Sequence, residues 1–160
     1  MTTTSHDGLS FVVETVGRPD PARMHLLVYP MTKTISSRYA DLDPNGHLNN
    51  VALTAMHEDI RATLNNQIFP LIRNPDADAV RLLISQNVVH FLAEAHWPAT
   101  IEAGIGVARI GRTSFVVSSA LFVDQRCISL SDTVVVTAQD RPVPLSEAAR
   151  TELSSLLLRG

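Results

Sequence analysis

The segment from Asp41 to Asn50 carries the side chains best suited to chemistry in this sequence. It reads DLDPNGHLNN, with a Pro-Asn-Gly turn directly after Asp43. Proline presets φ at the second position of a turn, and Asn and Gly tolerate the conformations that follow, so a tight turn is predicted here. A helix that starts just after this turn would point its free N–H groups at the space beside Asp43. A carboxylate base or nucleophile beside donors for a developing oxyanion suits attack on a carbonyl group.

Each of these residues also has a purely structural interpretation. Asp favours the first position of a β-turn, so the tetrapeptide alone would predict only a turn at Asp43. His47 either orients the carboxylate or bonds the turn backbone. Asn49 and Asn50 suit helix caps. Glu58 either faces the site from further along the helix or lies on a solvated face. The run of these residues together favours catalysis.

The segment from Arg38 to Arg61 resembles the acyl-CoA thioesterases of the hotdog superfamily, and the 4-hydroxybenzoyl-CoA thioesterase type in particular. That family has an acidic residue and an arginine along its central helix, matched here by Glu58 and Arg61. The likeness continues downstream at Ile110–Ser114 and Arg141–Leu145, so a family-like core spans about residues 35–145. Before the helix the family has Asp-x-Asp-x-x-Gly-His-x-Asn-Asn, matched by Asp41, Asp43, Gly46, His47, Asn49 and Asn50.

This resemblance implies an enzyme that hydrolyses an acyl-CoA thioester to a free acid and a thiol. Asp43 would act as general base or nucleophile, and the backbone N–H near Asn50 would polarise the carbonyl. CoA enters as part of the substrate, and no further cofactor is expected. The implied catalytic residues are Asp43, His47, Asn50 and Glu58, and the implied substrate-binding residues are Gly46, Asn49, Arg112, Thr113 and Ser114, with Arg112 meeting a CoA phosphate.

Three alternatives remain open. Hotdog-fold dehydratases and hydratases use Asp-x-Asn-Pro-x-His, with His five residues after Asp. Here Asp43 and His47 are four apart and the proline follows Asp43, so this class ranks second. A non-catalytic acyl-CoA-binding protein on the same fold is the next alternative. The thiol carrier is also open, because acyl-carrier-protein thioesterases share the same run.

Other chemistries lack their motifs. The sequence has no Gly-x-Ser-x-Gly elbow and no Gly-rich loop before a helix. Cys127 lies in an apolar run and is predicted to be an inert core residue. The six histidines show no metal-ligand spacing, so no metal site is predicted.

The pattern of elements predicts an α+β fold, with a curved antiparallel sheet wrapped around one long helix. Leu53, Met56, Ile60 and Leu64 form an apolar stripe along a helix from Asn49 to about Gln67. Short breaks between the later runs permit hairpins, at Trp97-Pro98, Gly111-Arg112 and Gln125-Arg126. The predicted strands are Leu9–Val16, Met24–Tyr29, Lys33–Tyr39, Arg81–Ala93, Thr100–Ile110, Thr113–Asp124 and Cys127–Ala138, and a last helix is predicted from Ser146 to Leu158.

At the scale of the chain, we expect one hotdog domain over residues 1–160, with residues 1–8 disordered. A lone antiparallel sheet leaves open edges, so a homodimer or homotetramer is expected. The net charge of −3 and pI near 6.0 give no reason to expect nucleic acid or a membrane as partner. A single cysteine and an N-terminal stretch without signal-peptide features lead us to expect a soluble cytoplasmic protein.

Overall fold

The computed structural model describes residues 16–70 and 80–160. The predicted strand Leu9–Val16 therefore lies almost wholly outside the described residues. The described elements are β1 (Met31–Ser36), α1 (Asn50–Ile68), β2 (Arg81–Phe91), β3 (Thr100–Ile110), β4 (Ser114–Val123), β5 (Arg126–Ala138) and α2 (Glu147–Ser155). Ser146 caps α2, since its side chain accepts a hydrogen bond from the backbone N–H of Ala149 at 3.1 Å.

The five strands form one open, curved antiparallel sheet in the order β1-β3-β4-β5-β2. The hairpin predictions for β3–β4 and β4–β5 are confirmed. The break at Trp97-Pro98 is not a hairpin, because β2 pairs with β5 instead of β3. Strand β2 therefore lies at an edge of the sheet, on the far side from β1. The sheet and its helix confirm the predicted hotdog fold.

Helix α1 packs on the concave face of the sheet through the predicted stripe. Leu53, Met56, Ile60 and Leu64 are all buried, with at most 7% of their surface exposed. They join Ile101, Ile105 and Phe115 of the strands in the main core. Burial of an apolar side chain of this size contributes about 1.5–3 kcal/mol for each side chain, so packing holds the helix in place.

The convex face of the sheet is covered by the segment before β1, which does not form the predicted strand. The predicted strand Met24–Tyr29 is instead two short 3-10 turns, Pro21–Met24 and Leu26–Val28. Proline opens the first turn and the Asp20 side chain caps it, accepting a hydrogen bond from Ala22 N–H at 2.9 Å. Tyr29 is buried against the sheet, with 1% of its surface exposed, and Met24, Leu26 and Val28 are partly buried beside it.

Strand β1 is also displaced from its predicted span of Lys33–Tyr39. It ends at Ser36, and Tyr39–Asp41 form a 3-10 turn. The Asp41 carboxylate accepts hydrogen bonds from the Arg38 backbone N–H at 2.8 Å and from its guanidinium at 2.7 Å. These charge-assisted bonds bend the chain towards the Asp43 turn and hold the pKa of Asp41 below its usual value.

Candidate active site

Asp43 closes the tight turn that precedes α1. Its carboxylate oxygen Oδ1 accepts hydrogen bonds from the backbone N–H groups of Asn45 at 2.8 Å and His47 at 3.0 Å. Its carbonyl accepts from Gly46 N–H at 3.0 Å. Gly46 has a φ of +81°, which explains a glycine at this position. Both backbone N–H bonds to the carboxylate are to Oδ1, so the second carboxylate oxygen, Oδ2, is the one that would meet a substrate or water.

The two backbone N–H donors keep Asp43 ionised. The bond from His47, and after it the bond from Asn45, lower the pKa of the Asp43 carboxyl below its ordinary value. Hydrogen bonds to the charged form of a carboxyl favour that form. Asp43 is thus an anion at neutral pH, as a base or nucleophile must be.

The start of α1 supplies a free donor beside this anion. Asn49 is the N-cap, and its Oδ1 accepts a hydrogen bond from Val51 N–H at 2.8 Å. Its own backbone N–H donates to the Asp41 carbonyl at 2.8 Å. The backbone N–H of Asn50 precedes any intrahelical acceptor and donates to no other group in the described part of the chain. The Asn49 side chain therefore serves the helix, and the Asn50 amide remains available to a ligand.

Asp43 and the helix start face a common cavity of about 370 Å³. Its walls combine polar groups with apolar side chains from α1 and from the chain leaving β2. The lining residues are Asp43, His47, Leu48, Asn50, Leu53, Phe91, Leu92, Ala93 and Glu94. A second, more open groove of about 490 Å³ runs along α1 and shares Asn50 and Phe91 with the cavity. Glu58 and Val51 line this groove.

The structure thus brings part of the predicted site together. Asp43, His47 and Asn50 line one cavity, and Glu58 lies in the adjoining groove, 3.4 Å from the Arg61 guanidinium. Gly46 and Asn49 shape the turn and the helix cap. The segment Arg112–Ser114 lines neither the cavity nor the groove.

Arg112, Thr113 and Ser114 lie at the opposite end of the sheet from Asp43. They follow the last residue of β3, whereas Ala99, just before β3, accepts a hydrogen bond from Ser37 N–H near the Asp43 turn. A strand of 11 residues spans roughly 35 Å. Within one chain the Arg112 hairpin therefore does not reach the cavity, and its role in binding stays a prediction.

Two residues beside the cavity were missed by the sequence analysis. Glu94 and His96 follow β2 and lie against His47, because an antiparallel bridge joins His47 to His96. The His47 Nε2 atom lies 3.6 Å from the Glu94 carboxylate. The imidazole rings of His47 and His96 are 5.1 Å apart between centroids. No local spacing signals this cluster, because a whole helix and strand separate its members in sequence.

Helix α1 also buries two polar side chains that do not belong to its predicted apolar stripe. His57 is 1% exposed and Arg61 is 7% exposed. Both contact hydroxyl groups of β4 and β5: His57 bonds Ser119 and Ser129, and Arg61 donates to Thr133 at 3.2 Å. Cys127 is buried as predicted, and burial raises the pKa of its thiol to about 11, so it is protonated and unreactive.

A curved sheet around a central helix, with a carboxylate turn at the helix start, defines a hotdog-fold protein with a candidate acyl site. Comparison with protein families gives the same class, since the model of the thioesterase-like superfamily matches residues 37–153. The chain belongs to the thioesterase-like superfamily. No curated protein matches the chain.

Several solved structures share the fold. A protein from Pseudomonas aeruginosa strain PAO1 is 26% identical, with a TM-score of 0.75, and the match covers 85% of this chain and 97% of that one. A thioesterase from Thermus thermophilus, complexed with coenzyme A and Zn, is 22% identical with a TM-score of 0.69 over 80% of this chain and 95% of that one. A protein from Staphylococcus aureus in complex with CoA is 12% identical, with a TM-score of 0.71 over 78% and 81% of the two chains.

Neither the length nor the hydropathy of any helix in the described ranges suits it to span a membrane.

Proposed function

We propose that this protein hydrolyses an acyl-CoA thioester, with Asp43 as the working carboxylate. The observation that carries the proposal is the position of Asp43, an anion that lines the same cavity as Asn50 with its free backbone amide. Membership of the thioesterase-like superfamily and the CoA bound to two structural relatives support the choice of substrate.

The proposed reaction divides its work between the carboxylate and the helix. The thioester carbonyl oxygen accepts a hydrogen bond from the Asn50 N–H, which stabilises the negative charge that develops on that oxygen. Asp43 Oδ2 either attacks the carbonyl carbon or removes a proton from an attacking water. The C–S bond then breaks and CoA leaves as the thiolate, which takes a proton from Asp43 in the general-base route and from water in the attack route. In the attack mechanism, water afterwards hydrolyses the acyl anhydride on Asp43 to the free acid.

The groove along α1 is the proposed path for the rest of the substrate. It is lined by Val51, Thr54, Ala55 and Phe91, which offer apolar contact, with Glu58 at its side. A second copy of the chain would close this groove, because Val51 is 75% exposed and the neighbouring edge strand β2 has an unpaired side. We infer that the site is completed in a homodimer. In such a dimer, the Arg112 hairpin of the partner chain would reach the cavity that the hairpin of the same chain does not reach.

Asp43→Asn tests the proposal directly. Asn keeps the size and turn preference of Asp but removes its charge and basicity. We expect the variant to fold and kcat to fall by at least ~100-fold, the usual effect of losing a general base. The assay is release of free thiol from a panel of acyl-CoA substrates, beside a melting curve for each protein. Asp59→Asn is the matched control, because Asp59 is an exposed helix carboxylate that lines neither cavity.

Two results would contradict this function. A folded Asp43→Asn variant with wild-type kcat would remove Asp43 from the mechanism. Wild-type protein that binds acyl-CoA without releasing thiol would instead be a non-catalytic binding protein. Repeated turnover in H₂¹⁸O tests for the nucleophile role of Asp43: where water opens the anhydride at the Asp43 carboxyl carbon, ¹⁸O enters the Asp43 side chain and peptide mass spectrometry detects it, whereas a general base acquires no label.

A further inference from the structure

We propose that His47, Glu94 and His96 form a binding site for a divalent transition-metal cation of the zinc class at the mouth of the Asp43 cavity. One ligand atom from each residue lies within 4.8 Å of the other two. Two imidazoles and one carboxylate are a ligand set that suits Zn²⁺ and its neighbours among the transition metals, whereas Mg²⁺ and Ca²⁺ prefer oxygen ligands alone.

The backbone holds these three residues together. His47 and His96 face each other across an antiparallel bridge, and next to it the Leu48 N–H donates to the Ala95 carbonyl at 2.7 Å. Glu94 lies two residues before His96 on the same segment. The site thus joins the turn before α1 to the chain leaving β2, and both anchors are backbone hydrogen bonds that do not depend on the metal.

One ring nitrogen of His96 already has a backbone partner, which leaves the other for a metal. His96 Nδ1 lies 3.2 Å from the Gly46 carbonyl oxygen, which can only accept. His96 Nδ1 therefore carries the proton in this contact, and Nε2 keeps its lone pair. Metal-binding histidines commonly donate their second ring N–H to a backbone carbonyl in this way, which fixes both tautomer and ring orientation.

The cluster needs only a small contraction to close on an ion. Ligand atoms about 2.0–2.2 Å from Zn²⁺ in a tetrahedral arrangement lie about 3.4 Å from each other. The His47 Nε2 and Glu94 Oε2 atoms are already 3.6 Å apart. The Glu94 side chain is 73% exposed, so its rotation costs little packing. Three protein ligands leave a fourth position for water or a ligand from the cavity.

The test is metal binding to untagged protein, with no acyl-CoA present. Titration with Zn²⁺ by calorimetry, and with Co²⁺ by visible absorption, should give one saturable site per chain. Co²⁺ should show the intense bands of a tetrahedral site with nitrogen ligands. His96→Ala and Glu94→Gln should each weaken binding at least about tenfold. His25→Ala is the matched control and should bind as wild type, because His25 is an exposed histidine that lines a different cavity.

Absence of saturable binding, or equal binding by His96→Ala and wild type, would overturn this site. A melting curve of each variant, taken without metal, establishes that the variant is folded. Because the titration involves no thioester, its failure would leave the proposed hydrolase activity standing, and loss of activity in Asp43→Asn would not by itself affect the metal site.

Discussion

Hydrogen bonding sets the charge state of Asp43, which precedes α1, and burial sets that of His57, in the middle of the helix. Asp43 is kept anionic by backbone donors, whereas His57 is kept neutral by burial, which lowers its pKa to about 3. The tautomer of His57 follows from its partners. Ser129 donates its hydroxyl proton to the His90 carbonyl, so it must accept from His57 Nε2–H at 2.9 Å. His57 Nδ1 then accepts from the Ser119 hydroxyl at 2.8 Å.

The buried His57 should make the protein less stable as the pH falls below 6.5. The unfolded chain takes up a proton near pH 6.5, but folded His57 stays neutral down to about pH 3, so stability falls across that range. One such group contributes a slope of at most about 1.4 kcal/mol per pH unit. The nearest cation, Arg61, disfavours protonation further.

His57→Gln should therefore reduce the pH dependence of the unfolding free energy between pH 7 and 5, a range that contains the ordinary pKa of histidine and lies above that of carboxyl groups. Urea unfolding at several pH values measures the slope. His25→Gln, at an exposed histidine, should keep the wild-type slope. An unchanged slope in His57→Gln would mean that the folded protein does protonate this residue.

Among the elements, strand β3 packs against other parts of the chain on both of its faces. Ala103, Ile105 and Val107 belong to the main core with α1, whereas Gly104 and Gly106, which alternate with them, let the convex layer approach the backbone. A Cβ at Gly104 would lie 2.7 Å from the Tyr29 ring. Tyr29 is held there, since its hydroxyl donates to the Arg23 carbonyl at 2.8 Å. The glycine thus permits the turns before β1 to cover the sheet.

Gly104→Ala should destabilise the protein by about 1–3 kcal/mol, the usual cost of adding a methyl group to a packed core. Chemical denaturation measures the change. Gly17→Ala is the control, because a Cβ at Gly17 meets no atom within 4 Å. Equal stability of Gly104→Ala and wild type would show that Tyr29 moves away at no cost.

For the whole molecule, the exposed edge of β2 is the feature that favours association with another chain. This strand is 11 residues long, and Leu83, Ile84 and Phe91 on it are each 45–47% exposed. Long apolar edge strands are prone to pair with another chain. The nearby groove along α1 is also open, so one contact between two copies would cover both surfaces.

We therefore expect the protein to be at least dimeric at micromolar concentration. Ile84→Arg should shift it towards monomer, because the substitution places a charge on the edge. Leu27→Arg is the matched control, since Leu27 is 83% exposed but lies on the convex turns. Sedimentation velocity distinguishes the species. Wild-type protein that sediments only as monomer would contradict both the dimer and the shared groove.

The sequence by itself determined the parts of the site that depend on near neighbours. Asp43, Gly46, Asn49 and Asn50 fall within one turn and one helix start, and their hydrogen bonds join residues only a few positions apart. The apolar stripe of α1 was likewise readable, because helical periodicity repeats along the chain itself. These features follow from local backbone geometry, so composition and spacing suffice to predict them.

Only the tertiary structure decided which distant segments meet. The pairing of β2 with β5 instead of β3 brings the chain after β2 against the Asp43 turn, and so places Glu94 and His96 beside His47. It also leaves the Arg112 hairpin at the far end of the sheet. Alternation of apolar and polar residues predicts which side chains of a strand face the core. It does not predict the neighbouring strand, because any antiparallel partner can form the same backbone hydrogen bonds. The choice between partners is made by packing over the whole core, which no local pattern records.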